Sequence, residues 1–281
     1  MNKNFAVLGS PISHSKSPLI HAAAYRVLGQ DWDYSRFEVP KGGLKRFIET
    51  DGAGFDGFSL TMPLKEDAFA FADVSDEISQ STRASNTLVR IDEKWHSFNT
   101  DVFGITQAIS QASSTPISLS LIIGSGATAT SAMVAIAQLA PGSSVLVFAR
   151  NKETRQHLII FGRGLGLQVS SVRRLGSAAK RAQLVISTLP GGAMDLAAKK
   201  LSGSRFFKPV GLLLDVAYHP WPSQLAEVWR QKNLKVVNGL DMLIWQAVAQ
   251  IRIFNTGNPL HELPNEIAVV QAMRIALDQK P

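Results

Sequence analysis

The segment Leu119-Ser120-Leu121-Ile122-Ile123-Gly124-Ser125-Gly126-Ala127-Thr128-Ala129 constrains what this chain can fold into more than any other. The apolar run up to Ile123 has the pattern of a buried strand, and residues 131–139 have that of a helix. Strand, G-x-G-x-x-A turn and helix in direct succession form the fingerprint of a dinucleotide-binding βαβ unit. Gly124 permits the tight turn, Gly126 lets a pyrophosphate approach the backbone, and the small Ala129 permits close packing of helix on strand. Ser125, Ala127 and Thr128 complete a helix N-terminus whose unpaired N–H groups and positive dipole end suit phosphate. The bland alternative is an ordinary βα turn of an α/β sheet.

The end of the next strand selects the cofactor. An Asp or Glu there would accept hydrogen bonds from the adenosine ribose and favour NAD. The sequence instead reads Phe148-Ala149-Arg150-Asn151-Lys152. A guanidinium at Arg150 matches a 2′-phosphate, which points to NADP(H). Asn151 lies beside it, and Lys152 and Arg155 stand nearby.

Around this motif, apolar runs at 145–148, 167–172, 184–188 and 212–216 read as parallel strands covered on both faces, with 236–237 as a possible last strand. An earlier series, with strands expected at 5–8, 34–39 and 55–60 and amphipathic stretches at 17–28 and 41–50, argues for a second, mostly parallel α/β sheet. Ser113-Ser114-Thr115-Pro116 marks a plausible boundary after a helix at about 102–112. Two helical patterns, about 240–255 and 262–278, close the chain. The expected fold class is α/β: an N-terminal α/β substrate domain plus a C-terminal Rossmann domain binding NADP. Residues 1–101 with 240–281 are assigned to substrate binding and catalysis, and 102–239 to the dinucleotide. Return of the last helices over the first domain would leave an interdomain cleft.

Composition narrows the class. The chain has 281 residues, of which 45% are hydrophobic and 18% charged, enough for two domains with buried cores. No run approaches the ~18 apolar residues of a membrane helix, and the start lacks the features of a secretory signal. Cysteine is absent, so disulfides and thiolate metal sites are excluded, in keeping with a cytoplasmic protein. The net charge of +7 is scattered, without the basic–aromatic interleaving of a nucleic-acid groove. It fits attraction of small anionic metabolites. No metal, membrane or nucleic-acid partner is expected, and the oligomeric state is left at monomer or homodimer.

Four polar segments fall where loops should leave strands in the first hundred residues. In Gly9-Ser10-Pro11-Ile12-Ser13-His14-Ser15-Lys16-Ser17-Pro18, Ser15 and Ser17 sit near a helix start, where hydroxyls either bind a carboxylate or cap the helix. In Ser59-Leu60-Thr61-Met62-Pro63-Leu64-Lys65, Lys65 opens a short helix at a strand end, where a lysine can give a proton to a carbonyl oxygen under reduction. Ala84-Ser85-Asn86-Thr87 and Asn99-Thr100-Asp101 supply an amide and a carboxylate that can pair with an ammonium. Taken singly, Asn86 and Asp101 read equally as turn or cap residues.

Together these four segments resemble the signature of the shikimate dehydrogenases. The turn at 124–129, Asp215-Val216-Ala217-Tyr218-His219-Pro220, and Gly239-Leu240-Asp241-Met242-Leu243-Ile244-Trp245-Gln246-Ala247 follow in the same order. The resemblance implies NADPH-dependent reduction of 3-dehydroshikimate to shikimate, in aromatic amino-acid and chorismate synthesis. It implies Lys65 and Asp101 as the catalytic pair and Ser15 and Ser17 at the substrate carboxylate. Thr61, Asn86 and Gln246 would meet ring hydroxyls, with Ser59 and Tyr218 also lining the substrate site. Gly239 would join 124–129, Arg150 and Asn151 at the cofactor. Ser59 departs from the family, which usually has asparagine there. Ala127, Thr130 and the Ala149-Arg150-Asn151 segment depart too, the last from N-R-T. Two rival readings stand beside it: an NAD-dependent quinate/shikimate dehydrogenase, which Ser17 and Arg150 disfavour, and a non-catalytic metabolite- or dinucleotide-binding paralogue, which would not need Lys65 and Asp101.

Overall fold

The structure, a computed structural model, describes residues 2–278. Met1 and residues 279–281, which the expected first domain takes in, lie outside the described residues. The chain divides into two compact units: one extends through Gly104 and resumes at Leu243, and the other is Ile105–Met242.

The first unit begins β1 (Asn4–Gly9), α1 (Ser17–Val27), β2 (Asp33–Glu38), α2 (Leu44–Glu49), β3 (Gly57–Leu60) and α3 (Lys65–Phe71). It continues through β4 (Val74–Ser75), α4 (Glu77–Thr82), β5 (Thr87–Ile91), β6 (Lys94–Phe98) and the start of α5 (Asp101–Ala112). Its sheet has the order β2-β1-β3-β5-β6-β4. β1 pairs in parallel with β2 and β3, and β4 with β6, whereas β5 runs antiparallel to both β3 and β6. The β5–β6 hairpin turns on Asp92 and Glu93, both with left-handed φ (47° and 62°), the geometry that a type I′ two-residue turn requires at both positions.

The second unit carries β7 (Leu119–Ile123), α6 (Ala127–Leu139), β8 (Ser144–Phe148), α7 (Lys152–Gly164), β9 (Gln168–Ser171) and α8 (Leu175–Ala179). It ends with β10 (Leu184–Ser187), α9 (Asp195–Ser202), β11 (Leu212–Asp215), α10 (Gln224–Arg230) and β12 (Val236–Asn238). The strands are all parallel, in the order β12-β11-β10-β7-β8-β9. Chain order therefore reverses between β7 and β10, the switch point at which open α/β sheets bind ligands. Leu121, Ile123, Val185, Leu213 and Trp229 form a buried cluster on this sheet.

Two helices close the chain, α11 (Gly239–Thr256) and α12 (Glu266–Asp278). From Leu243 on they belong to the first unit and cover one face of its sheet. Ile244, Val248, Ile251, Val269 and Met273 pack against Phe5, Ile20 and Tyr25. Phe5 stacks on Phe254 with centroids 4.1 Å apart. The opposite face buries Ala6, Leu8, Phe58, Leu60 and Leu88 against Leu44, Ile48 and Leu64. β1 is thus covered on both sides, which is why its sequence is apolar without alternation. Full burial of such side chains stabilises the unit by about 2–3 kcal/mol each. The α11–α12 connection is fixed by Arg252, whose guanidinium binds both Glu266 carboxylate oxygens and the Pro259 carbonyl.

Candidate active site

At the strand ends of the first unit, Lys65 and Asp101 meet. Lys65 opens α3, where the positive end of the helix dipole disfavours an ammonium. Asp101 opens α5, where the same field favours a carboxylate. Lys65 Nζ donates to Asp101 Oδ2, an ion pair whose side chains are 14% and 5% exposed. So little exposure makes the pair costly to break from one side, because the remaining charge stays desolvated. Asn86 Nδ2 donates to Asp101 Oδ1 at 2.9 Å. The same nitrogen reaches Thr100 Oγ1 at 2.9 Å and Gln246 Oε1 at 3.1 Å. Asn86 Oδ1 accepts from the Thr100 backbone N–H at 2.8 Å and from Thr87 Oγ1 at 3.0 Å. The Asp101 N–H donates to Asn99 Oδ1 at 3.1 Å. Both oxygens of Asp101 are therefore assigned by the protein, and the ammonium is held from one side.

Ser15 and Ser17 lie at the N-terminus of α1, and the Ser17 N–H donates to Ser15 Oγ at 3.3 Å. The loop that carries them is braced against the loop bearing Thr61, since the Ser10 N–H donates to the Met62 carbonyl at 3.0 Å. Gly9 makes the approach possible: a Cβ there would collide with Thr61 Cγ2 and lie 2.9 Å from the Met62 carbonyl. Ser59 faces inward from β3 and is buried. Its Oγ accepts from the Tyr34 hydroxyl at 2.7 Å and donates to Gln250 Oε1 at 2.8 Å.

In the second unit, Gly124 has φ +121°, and a Cβ on it would run into Thr188 Oγ1. Gly126 is the N-cap of α6, and a Cβ there would meet nothing within 4 Å. Open space in front of first-turn N–H groups is what a bound phosphate needs. Ala127 and Thr128 form that first turn, and Ala129 is fully buried beneath it. Ser125 Oγ shares a hydrogen bond with Thr154 Oγ1 at 2.7 Å. Arg150 is exposed just past β8. Asn151 caps α7, accepting from the N–H groups of Glu153 and Thr154 at 2.9 and 3.0 Å. Arg155 is turned back onto the Ala149 carbonyl at 2.7 Å.

Tyr218 follows β11 in a stretch anchored by Asp215. The buried Asp215 carboxylate accepts from Ser223 Oγ at 2.5 Å, and burial raises its pKa against the pull of those hydrogen bonds. Burial also raises the Tyr218 pKa, which keeps its phenol protonated. Gly239 sits against the Val216 carbonyl, where a side chain has no room.

Sequence reasoning overlooked Thr100, Tyr34 and Gln250. Gln250 had one available signal: it lies four residues after Gln246, so both amides share a face of α11. Tyr34 had none, being one alternating residue of an edge strand. Its ring stacks on His21 at 3.9 Å. Burial lowers the His21 pKa to about 3, opposed in part by the Gln250 side chain, so the imidazole is neutral.

A parallel dinucleotide-type sheet with its glycine turn, and a separate unit with a lysine–carboxylate centre, define an oxidoreductase of the two-domain, nicotinamide-dependent kind. A family model described as the shikimate dehydrogenase substrate binding domain matches residues 7–88. A shikimate dehydrogenase (NADP(+)) of Thermus thermophilus is 32% identical over 275 residues, covering 97% of this chain and 98% of the relative. The solved shikimate dehydrogenase of Mycobacterium tuberculosis aligns with a TM-score of 0.83 at 34% identity, over 97% of this chain and 99% of that one. A Thermus thermophilus shikimate 5-dehydrogenase solved with NADP(H) and shikimate aligns with a TM-score of 0.79 at 28% identity, over 98% and 99%. The chain belongs to the shikimate dehydrogenase family.

Proposed function

We propose that this chain interconverts 3-dehydroshikimate and shikimate with NADP(H), with Lys65 and Asp101 as its catalytic pair. The observation that carries the proposal is the near-buried Lys65–Asp101 pair held by Asn86. The first unit is the substrate and catalytic unit, and the second takes the dinucleotide. When bound, NADPH supplies the hydride that adds to the substrate carbonyl carbon. The residues of the chain do the rest. Ser15 and Ser17 hold the carboxylate. Thr61, Asn86 and Gln246 meet the ring hydroxyls, Tyr218 also lines the substrate site, and Ser59 supports them from behind. As negative charge grows on the carbonyl oxygen, the Lys65 ammonium stabilises it and gives up one proton. Asp101 fixes the ammonium and hydrogen-bonds the hydroxyl that forms. The C=O π bond is replaced by one C–H and one O–H bond, and Lys65 regains its proton from solvent through its 14% exposed side chain.

The fit to NADP(H) rests on the open first turn at Gly126 and on the exposed guanidinium of Arg150. Gly124, Ser125, Ala127, Thr128 and Ala129 complete the phosphate turn. Asn151 sets the start of α7 beside Arg150, and Gly239 sets the start of α11. Metabolism of a small soluble acid fits a cytoplasmic protein, monomeric or homodimeric. Among the described residues no helix is long and apolar enough to cross a membrane.

The test is oxidation of shikimate and of quinate by the purified chain, each with NADP+ and with NAD+. Turnover of shikimate with NADP+ well above the other three combinations is expected. Preference for quinate with NAD+ would overturn the substrate and cofactor assignment together.

A further inference from the structure

Behind the Asn86 centre, a chain of hydroxyls and one amide runs through the first unit with every hydrogen committed. The Tyr34 phenol donates to Ser59 Oγ at 2.7 Å. Ser59 has one hydroxyl hydrogen, and it goes to Gln250 Oε1 at 2.8 Å. The two hydrogens of Gln250 Nε2 go to the Asn86 carbonyl at 3.0 Å and to Thr87 Oγ1 at 3.1 Å. Thr87 passes its own hydrogen to Asn86 Oδ1. At the far end, the Ser17 side chain adjoins the Tyr34 phenol and offsets part of the rise that burial causes in its pKa. Ser17, Ser59 and Gln250 are all buried, at 5%, 4% and 1% exposure. Water is therefore a poor substitute for a missing member, and hydrogen bonds in such a chain strengthen one another.

We propose that Tyr34, Ser59 and Gln250 are positioning residues that tie the Ser17 hydroxyl to the Asn86 amide, so that the substrate's carboxylate and ring hydroxyls are recognised as one rigid pair. The proposal rests on the function proposed above, in which Ser17 meets the carboxylate and Asn86 a ring hydroxyl. It assigns Ser59 a role different from that of the asparagine usual in the family. Its hydroxyl has no hydrogen left for a ligand, and its contribution reaches the substrate through Tyr34 and Gln250. It also gives the Ser17 hydroxyl a choice of acceptor, the Tyr34 oxygen or an incoming carboxylate. A second hydroxyl contact at the same anion falls to Ser15.

Tyr34→Phe is the informative change, because it keeps the ring on His21 and removes only the oxygen. Steady-state kinetics on wild type, Tyr34→Phe, Ser17→Ala and the double variant form a cycle. Each single change is expected to raise the shikimate KM about tenfold, with kcat and the NADP+ KM within about twofold. The double variant is expected near tenfold as well, since both changes remove the same aligned hydroxyl. A double variant showing the product of the two effects, or a Tyr34→Phe effect equal on shikimate and NADP+ KM, overturns the positioning role. Ser59→Ala, crossed with Ser17→Ala in the same way, serves if Tyr34→Phe fails to fold. Wild-type protein that does not oxidise shikimate at all defeats the functional assignment and this proposal with it. A multiplicative cycle in an active wild type defeats only this proposal.

Discussion

The polar centre of the first unit and the glycine turn of the second solve recognition in opposite ways. The centre is made of side chains: Lys65, Asp101, Asn86, Thr100 and Gln246 hold one another, and each oxygen of Asp101 already accepts one hydrogen bond. The turn is made of backbone shape: a left-handed glycine, an open cap and the first N–H groups of α6. In the first region, information resides in what each side chain donates or accepts. In the second it resides in where a Cβ is forbidden. Side-chain deletion should therefore be severe at the centre and mild at the turn, with the reverse for glycine replacement.

The largest effect expected is at Lys65. Lys65→Ala should lower kcat by about 10² to 10⁴, the span of general acid catalysis. NADPH binding, followed by cofactor fluorescence, should stay within a few fold. Near-normal turnover would remove Lys65 from the chemistry. Next, Gly124→Ala should cost about 2 kcal/mol or more through its positive φ and the collision with Thr188. Gly126→Ala should leave the thermal midpoint nearly unchanged while raising the NADP+ KM, because its Cβ points into open space. Equal loss of stability at the two glycines would break the comparison.

His21 supplies a pH test of comparable size. Its pKa is about 3 in the fold against 6.5 unfolded, so the unfolded chain binds the extra proton. Its contribution is whole above pH 6.5 and is lost as pH falls toward 3. Between pH 7 and 5 the loss should reach about 2 kcal/mol. In a His21→Gln variant, denaturant melts at those two pH values should differ by correspondingly less than in wild type. The smallest effect is at Arg150. Arg150→Ala should raise the NADP+ KM about tenfold, about 1.4 kcal/mol, with little change for NAD+. An equal rise for both cofactors would detach Arg150 from the 2′-phosphate.

The second sheet was legible because its strands are covered on both faces, so apolar runs such as Leu121–Ile123 announce themselves. The first sheet was legible only in its parallel half. β5 and β6 escaped notice because their ends carry the polar residues of the centre and their turn uses Asp92 and Glu93 in place of glycine. The sequence places Asn86 and Asp101 where loops leave strands; Asn86 directly precedes β5, and Asp101 begins α5. Residue types marked Lys65, Asp101 and Asn86 as candidates, and the segment order singled them out. Periodicity cannot reveal that Ser59, Tyr34 and Gln250 share hydrogens, because partners 25 and 191 residues apart leave no local trace.

The crowding of Gly9 against Thr61 has an evolutionary side. Gly9 ends β1 and Thr61 follows β3, yet position 9 cannot grow while Thr61 stays as it is. A lineage that acquires any side chain at position 9 must first lose the Thr61 methyl; serine does so and keeps the hydroxyl proposed to meet the substrate, whereas alanine gives it up. Relatives with alanine or serine at 9 should therefore carry a smaller residue at 61. Exchange of Thr61 to alanine rather than to serine would mark the branches in which ligand preference has drifted.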